Sequence, residues 1–439
     1  MQNRRPAALG LVALALMSSI SFATLSKGPQ TWIVDVNGGP GADFLNISPA
    51  VTAASDGDLI LVRPGNYSWF AVDKRLTVIG DPGGVTVVGT VEVQDAPGVV
   101  NLVSLTLDSL NVRDCTETVI LDEVSILDGQ AIFIGPVGDW VVNIENSADV
   151  RFIDSTISGD RGHWHHGLRV ESSRVELVSS TVTGGSAWFD LSCKPINGVA
   201  KFGGDGMQVA GASRVHTSHS NLVGGDGGAF ACSFFYDAAP GGSGAVVSAP
   251  SQILVTGGSY TGGPGGSTGY YYCAPGGNGI SGSGQLRRSN ATWTRGLGGV
   301  LSGAPNCANG VAVGIANVTA TPDDPTLERI GLPVSGFFGG SVKLRVRGDP
   351  GAKTRLFLGR QPHVAAPNPN IEVELLLEPL VTIDLGHIPS KGFVTYTLKL
   401  GPDLPSSFLF TGRQIIAQAS CVYPGGELRR TNSVPLVLR

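Results

Sequence analysis

Between Ser158 and Gly167 the chain reads SGDRGHWHHG, which places three of its seven histidines beside an acid and a base. In an extended segment His163 and His165 point the same way, a spacing from which two imidazoles can grip a metal ion. Asp160 with His163, His165 or His166, and with Arg161 nearby, also has the makings of an acid and a base for cleaving a glycosidic bond or a uronic acid chain. The structural alternative is a polar surface loop wrapped around Trp164. No third ligand has a defined position, so no metal is assigned.

A second constellation pairs cysteines with aromatic residues. Trp188-Phe189 precede Cys193, Phe230 precedes Cys232, Phe234-Phe235-Tyr236 follow it, and Tyr270-Tyr271-Tyr272 precede Cys273. Each cluster is followed by a glycine-rich turn: GGDG from Gly203, GGSG from Gly241 and GGNG from Gly276. Loops leaving adjacent coils at one point lie side by side. That favours the disulfides Cys193–Cys232 and Cys273–Cys307 among the three pairings four cysteines allow. Such crosslinks are expected to stiffen segments too glycine-rich to hold themselves. Trp188, Phe235, Tyr236, Tyr270, Tyr271 and Tyr272 are candidates to stack on sugar rings. The alternative is that they cover the disulfides as a satellite core. The Asp spacing of calcium-binding nonapeptides is missing, so calcium is not assigned and no cofactor is expected. Cys115 and Cys421 have no obvious partner, and a bridge between them is one reading.

The element that must position these groups is a repeat. An eight-residue pattern begins at Val100, Val119, Val150, Val175, Val215, Ile253, Leu286 and Val311. Its first and last positions are apolar, and its seventh is Ser, Thr or Asn. The intervals run from 19 to 40 residues, with the variable part glycine-rich. A constant short strand with variable loops predicts a β-solenoid, whose coils absorb length changes outside the stack. The seventh position predicts a hydrogen-bonded ladder. Arg151, Glu176 and His216, at the second position of successive coils, predict a solvated cross-strand ladder. A second strand precedes several copies, at 167–170, 206–209 and 244–247.

The start of the solenoid reads VDVNGGPGADFLNISPAVTAASDGDLILVRPGNYSWFAVDKRLTVIGD within residues 32–81. Ser48 as N-cap and Pro49 at the first helical position predict a short helix that plugs the open end. This segment resembles the N-terminal region of right-handed parallel β-helix proteins of the pectin-lyase-like superfamily, pectinesterases and bacterial secreted proteins among them. The resemblance implies an all-β fold, a right-handed parallel β-helix. The GxxDFIFG-like motif of pectinesterases and the clustered Asp and RxK motifs of polygalacturonases are absent, so neither activity is implied.

The rest bounds the function. Arg4 and Arg5, an apolar stretch from Ala7 to Met17, and Ser21-Phe22-Ala23 predict a signal peptide over 1–23 and a secreted or cell-surface protein. Residues 24–320 are expected to form the β-helix and 321–439 a small β-sandwich-like domain, with strand-like runs at 341–347, 354–358, 371–384, 393–399, 413–420 and 434–438. No later apolar run is long enough to span a membrane. A net charge of −5 and the lack of a basic stripe exclude nucleic acid as a natural partner. The leading expectation is a protein that interacts with extracellular polysaccharide or cell-surface glycan by binding rather than cleaving. A polysaccharide lyase or glycoside hydrolase is one alternative, and a structural or adhesive surface protein another.

Overall fold

The computed structural model describes residues 29–81, 84–127, 140–159, 165–187, 202–232, 235–268, 272–289, 291–300, 305–320, 326–330, 341–359, 381–399, 414–426 and 428–437. The predicted signal segment, 1–23, and residues 321–325 lie outside these residues.

Among the described residues, twenty-five strands stack in parallel as a right-handed parallel β-helix. They fall into three long sheets, A, B and C, rather than the two expected from the sequence. Sheet A follows the repeat: Val100, Val119, Val150, Val175, Val215, Ile253 and Leu286 are successive register partners. The 19-residue interval between Val100 and Val119 is thus a complete coil. The eighth copy corrects the predicted register, because Leu286 pairs with Val318 and not with Val311. In that last coil Val311 belongs to the glycine-rich segment, whose apolar residue imitates the strand start.

The eight-residue unit is not one strand. Its fifth residue sits in the left-handed region at Ser104, Glu123, Asp154, Ser179 and His219, with φ between 45° and 57°. This corner turns the chain from sheet A into sheet B, whose strands Ser125–Leu127, Thr156–Ser158, Thr181–Thr183, Asn221–Val223 and Ser259–Thr261 begin at the seventh position. The seventh-position side chains face outward. The continuous ladder uses the sixth position instead: Ser155, Ser180 and Ser220 each accept from the backbone N–H one coil below, at 3.1–3.2 Å. Sheet C, which includes Trp140–Glu145, His166–Glu171, Met207–Ala210 and Ala245–Val247, contains the predicted second strand. A second serine ladder links sheet C back to sheet A through Ser147, Ser173, Ser213 and Ser251. Cys115 occupies the preceding rung, where its thiol takes the place of a serine hydroxyl in that column. Cys115 and Cys421 are both buried free thiols.

The aliphatic columns of the three sheets fill one core, with Phe152, Leu102, Leu107 and Val142 fully buried. At its N-terminal end the helix Ile47–Ala53 buries Ile47, Ala50 and Val51 in that core. Asn46, not Ser48, is its N-cap, and its side chain accepts from the Ile47 N–H. An extra rung, Thr31–Val34, pairs with Leu59–Val62. Beyond Ala320, Thr326–Ile330, Ser341–Arg347 and Phe393–Lys399 form one antiparallel sheet. Lys353–Gly359, Val381–His387, Gln414–Val422 and Leu428–Val437 form a second. Both sheets supply one core, for example Leu344 and Leu398 against Leu356 and Ala419, which is a sandwich arrangement.

The glycine-rich segments between sheets B and C are the main departure from expectation. They are not turns. One continuous chain of backbone hydrogen bonds climbs the stack, joining by turns the two glycine arms of one coil and the facing arms of successive coils: Gly185 N–H donates to the His165 carbonyl, then Gly204 to Gly185, Gly225 to Gly204, Gly242 to Gly225, Gly263 to Gly242, Gly277 to Gly263, Gly296 to Gly277 and Gly310 to Gly296, at 2.7–3.0 Å. Other bonds recur at a spacing of three residues. Gly203 and Gly206 donate to Pro240 and Ser243, Gly224 and Gly227 to Thr261 and Pro264, Gly241 and Gly244 to Pro275 and Asn278. Three residues is the period of a polyproline-II-type helix, which has no internal hydrogen bonds and leaves its amides for neighbours. The close approach explains the glycine. A Cβ on Gly242 would lie 2.0 Å from the Gly204 carbonyl oxygen, and one on Gly263 would lie 2.0 Å from that of Gly225.

Candidate functional site

The outer face of sheet C gathers the chemistry. Its strands alternate, so Val142, Ile144, Leu168, Val170, Met207 and Val209 point into the core. Asn143, Glu145, Arg169, Glu171 and Gln208 then point out, in register from coil to coil. Trp140 and His166 are register partners at the N-terminal ends of their strands, and their rings stack with centroids 4.4 Å apart. The Arg169 guanidinium lies over the Trp140 ring, 5.8 Å from its centroid. Arg169 bonds the Asn143 Oδ1 at 3.2 Å and the Glu145 carboxylate at 2.5 Å, and it also bonds Glu171. A charge-assisted clamp of this kind fixes the guanidinium above the indole.

His166 is fixed from the other side. Its Nδ1 accepts the Asp205 backbone N–H at 2.8 Å. A backbone N–H only donates, so Nδ1 carries no proton and the neutral ring carries it on Nε2. The 3.4 Å contact between Nδ1 and the Asp205 carboxylate is therefore not an ion pair. That carboxylate instead accepts from Gln208 Nε2 at 2.6 Å and from the Ser243 N–H at 2.7 Å. Asp205 stands in the GGDG stretch, so the glycine lattice positions it.

The face continues toward the N-terminal end. Asn143 donates to Asn111 at 3.2 Å, and Asp108 accepts the Gly89 N–H at 2.9 Å. Trp69, 57% exposed, lies over Gly89. Three coil steps of ~4.8 Å put Trp69 and Trp140 about 14 Å apart along the stack.

Of the residues singled out from sequence, His165 and His166 are described, and only His166 joins this cluster through its side chain. The His165 carbonyl starts the glycine ladder. Asp160, Arg161 and His163 lie outside the described residues, as do Trp188, Cys193, Tyr270 and Tyr271. Cys232 ends one strand of a hairpin, Ala229–Cys232 with Phe235–Ala238, and Phe235 and Tyr236 belong to the other strand. Tyr272 is 52% exposed beside Cys273, which forms a disulfide with Cys307. Sequence reasoning missed Trp140, Arg169 and Gln208 as site residues. Trp140, His166 and Asp205 each stand two residues before an inward pair, Val142/Ile144, Leu168/Val170 and Met207/Val209, a spacing that aligns them across coils but does not itself mark them as outward-facing.

The charged residues on the outer face of sheet A correct the predicted solvated ladder. Arg151 is 2% exposed and meets the Asp149 carboxylate at 2.6 Å and Glu176 at 3.7 Å. Thr118 donates to Asp149 at 3.0 Å. Burial works against the Arg151 charge, but Asp149 and Glu176 more than offset it and hold the guanidinium ionised. Burial, aided by the Arg174 charge, pushes His216 down to about 4, so it is neutral near pH 7 and makes no ion pair with Glu176. Ile120, Ile153 and Val178 form an apolar cluster on the same face. A buried, mutually neutralised set offers no open contact surface, unlike the half-exposed residues of sheet C. Among the described residues no group of three or more His, Cys, Asp or Glu could hold a metal ion, and no helix is long and apolar enough to cross a membrane.

No family model and no curated protein matches the chain. Among solved structures, the crystal structure of pectate lyase Pel9A is similar at 13% identity, covering 66% of this chain and 78% of that chain with a TM-score of 0.33. The enzymatically active domain of bacteriophage CBA120 tailspike protein 2 is similar at 10% identity, covering 87% of this chain and 66% of that chain with a TM-score of 0.27.

Proposed function

We propose that this is an exported protein that binds an extended polysaccharide along the outer face of sheet C, without cleaving it. The observation that carries the reading is the Trp140–His166 stack with the Arg169 clamp above it. An aromatic face beside fixed amides and carboxylates is what a pyranose ring needs: apolar area for its C–H face and acceptors and donors for its hydroxyls. Trp69, about 14 Å along the stack, offers a second platform at roughly three sugar spacings. The carboxylates of this face are engaged by Arg169, Gln208 and backbone amides. Groups held in this way recognise hydroxyls more readily than they relay protons.

The test is binding of the purified protein to a panel of soluble polysaccharides, with reducing-end and unsaturated-product assays on the same samples. Retention of a glycan without product, weakened about tenfold or more by Trp140→Ala, supports the reading, since a buried aromatic anchor contributes ~1.5 kcal/mol or more. Product release lost in Asp205→Ala or His166→Ala would make the same face a lyase or hydrolase site. Binding unaffected by Trp140→Ala would move the site elsewhere.

A further inference from the structure

The charge of the sheet C face points to the chemical class of its glycan. Glu92, Asp108, Glu145, Glu171 and Asp205 carry carboxylates on or beside this face, against two guanidiniums, Arg113 and Arg169. The two guanidiniums are each set against carboxylates, tightly at Arg169 and loosely at Arg113. Arg169 is closed by Glu145 and Glu171. Arg113 stands 4.0 Å from Glu92 and bonds Gln94. Asp95 and Asp114, exposed at the left-handed corners that end the same strands, extend the negative edge. None of the sheet C strands that carry these residues contains a lysine.

We infer that the glycan is a polysaccharide without carboxylate or sulfate groups, built of neutral or amino sugars. This inference rests on the binding reading given above. A polyuronate laid along this face would bring a carboxylate every sugar or two against fixed carboxylates, would meet a single loosely held guanidinium at Arg113, and would reach Arg169 only by displacing Glu145 or Glu171. Like-charge juxtaposition of this kind excludes a ligand even where its shape fits. Neutral hydroxyls find acceptors in the same groups at no such cost, and an amino sugar adds attraction.

The experiment compares neutral glucan, mannan and xylan, and chitosan, with polygalacturonate, alginate and chondroitin sulfate. It is run at physiological ionic strength with EDTA, so that calcium does not bridge carboxylates. The expected result is retention of at least one non-anionic polymer ~10-fold or more tighter than every anionic one. The double variant Glu145→Gln/Glu171→Gln should narrow that gap about tenfold by releasing Arg169. Xylan and chitosan arms separate neutral from cationic sugars. Tighter binding of polygalacturonate that is lost in Trp140→Ala would overturn this inference while leaving the site intact. Binding to none of the polymers would overturn the binding reading, and this inference with it.

Discussion

In sheet A each coil is held to the next by strand hydrogen bonds and by filled columns such as Leu102, Leu121, Phe152 and Leu177. In the glycine segments between His165 and Gly310 the same coils are held mainly by backbone, with neighbouring segments so close that no Cβ fits. Both regions satisfy every coil-to-coil step with hydrogen bonds, yet they bury different things. Sheet A removes apolar side chains from water, at roughly 25 cal/mol per Å². The glycine segments bury peptide groups against peptide groups, which demands complete pairing because an orphaned buried amide costs ~1–3 kcal/mol. One region should therefore fail when atoms are removed, and the other when atoms are added.

The largest effect is expected from adding one methyl group. Gly242→Ala places Cβ 2.0 Å from the Gly204 carbonyl oxygen, and that atom is backbone, so no side chain can yield. Opening the gap breaks the Gly242–Gly225 and Gly263–Gly242 bonds together. A loss of about 5 kcal/mol, or failure to fold, is expected in chemical denaturation. Gly425→Ala, where an added Cβ meets nothing within 4 Å, should change stability by less than ~0.5 kcal/mol. Equal effects at the two glycines would show that the lattice does not tighten the fold.

Removal should matter in sheet A. Phe152→Ala deletes a fully buried ring between Leu121 and Leu177 and should cost about 4 kcal/mol. A cost below ~1 kcal/mol in the same denaturation series would mean that the aliphatic columns do not carry the stack.

This contrast also explains what was readable. Apolar residues at a fixed spacing are a positive signal, so the columns from Val100 to Leu286 were legible in the sequence. The glycine doublets were equally visible at 184–185, 203–204, 224–225, 241–242, 262–263 and 276–277. They read as turns because glycine reports two different physical needs, a left-handed φ and the absence of Cβ, with one letter. Two doublets per coil, with no polar turn residue of fixed position, is the pattern that separates these needs. The site was half legible. His166 stood out by composition, whereas Trp140, Arg169 and Asp205 come together only when insertions of unequal length are closed back to one register.

Acid should act on sheet A through His216, a buried imidazole with no counterpart among the peptide-to-peptide bonds of the glycine ladder. The folded chain protonates His216 near pH 4 because burial and then Arg174 disfavour its charge, while the unfolded chain protonates it near 6.5. Between those values unfolding takes up a proton. Stability due to this residue is full above about pH 6.5 and falls as pH drops toward 4, by ~3 kcal/mol at most. Melting temperatures of the parent and His216→Gln should converge in slope above pH 6.5 and diverge below it, the parent losing more. Parallel curves over pH 7.5 to 4.5 would remove His216 from the account.

The smallest effect concerns what the side-chain region can trade and the glycine region cannot. Thr217 occupies the inward column filled elsewhere by Leu121, Phe152, Leu177 and Val255, and its hydroxyl bonds the buried Tyr260 hydroxyl at 2.5 Å. Tyr260 stacks on Trp293 one coil on, at 4.6 Å. Tyr260→Phe keeps the ring and strands the Thr217 hydroxyl, so a loss of about 1–2 kcal/mol is expected. Thr217→Val in the same chain removes the stranded group, and the double variant should recover most of that loss, because replacing both partners by apolar groups is close to neutral. Recovery would show that coupled substitutions can be exchanged within the columns. Additive losses would show instead that this hydroxyl pair is as fixed as the glycine contacts, and that the two regions differ in material but not in tolerance.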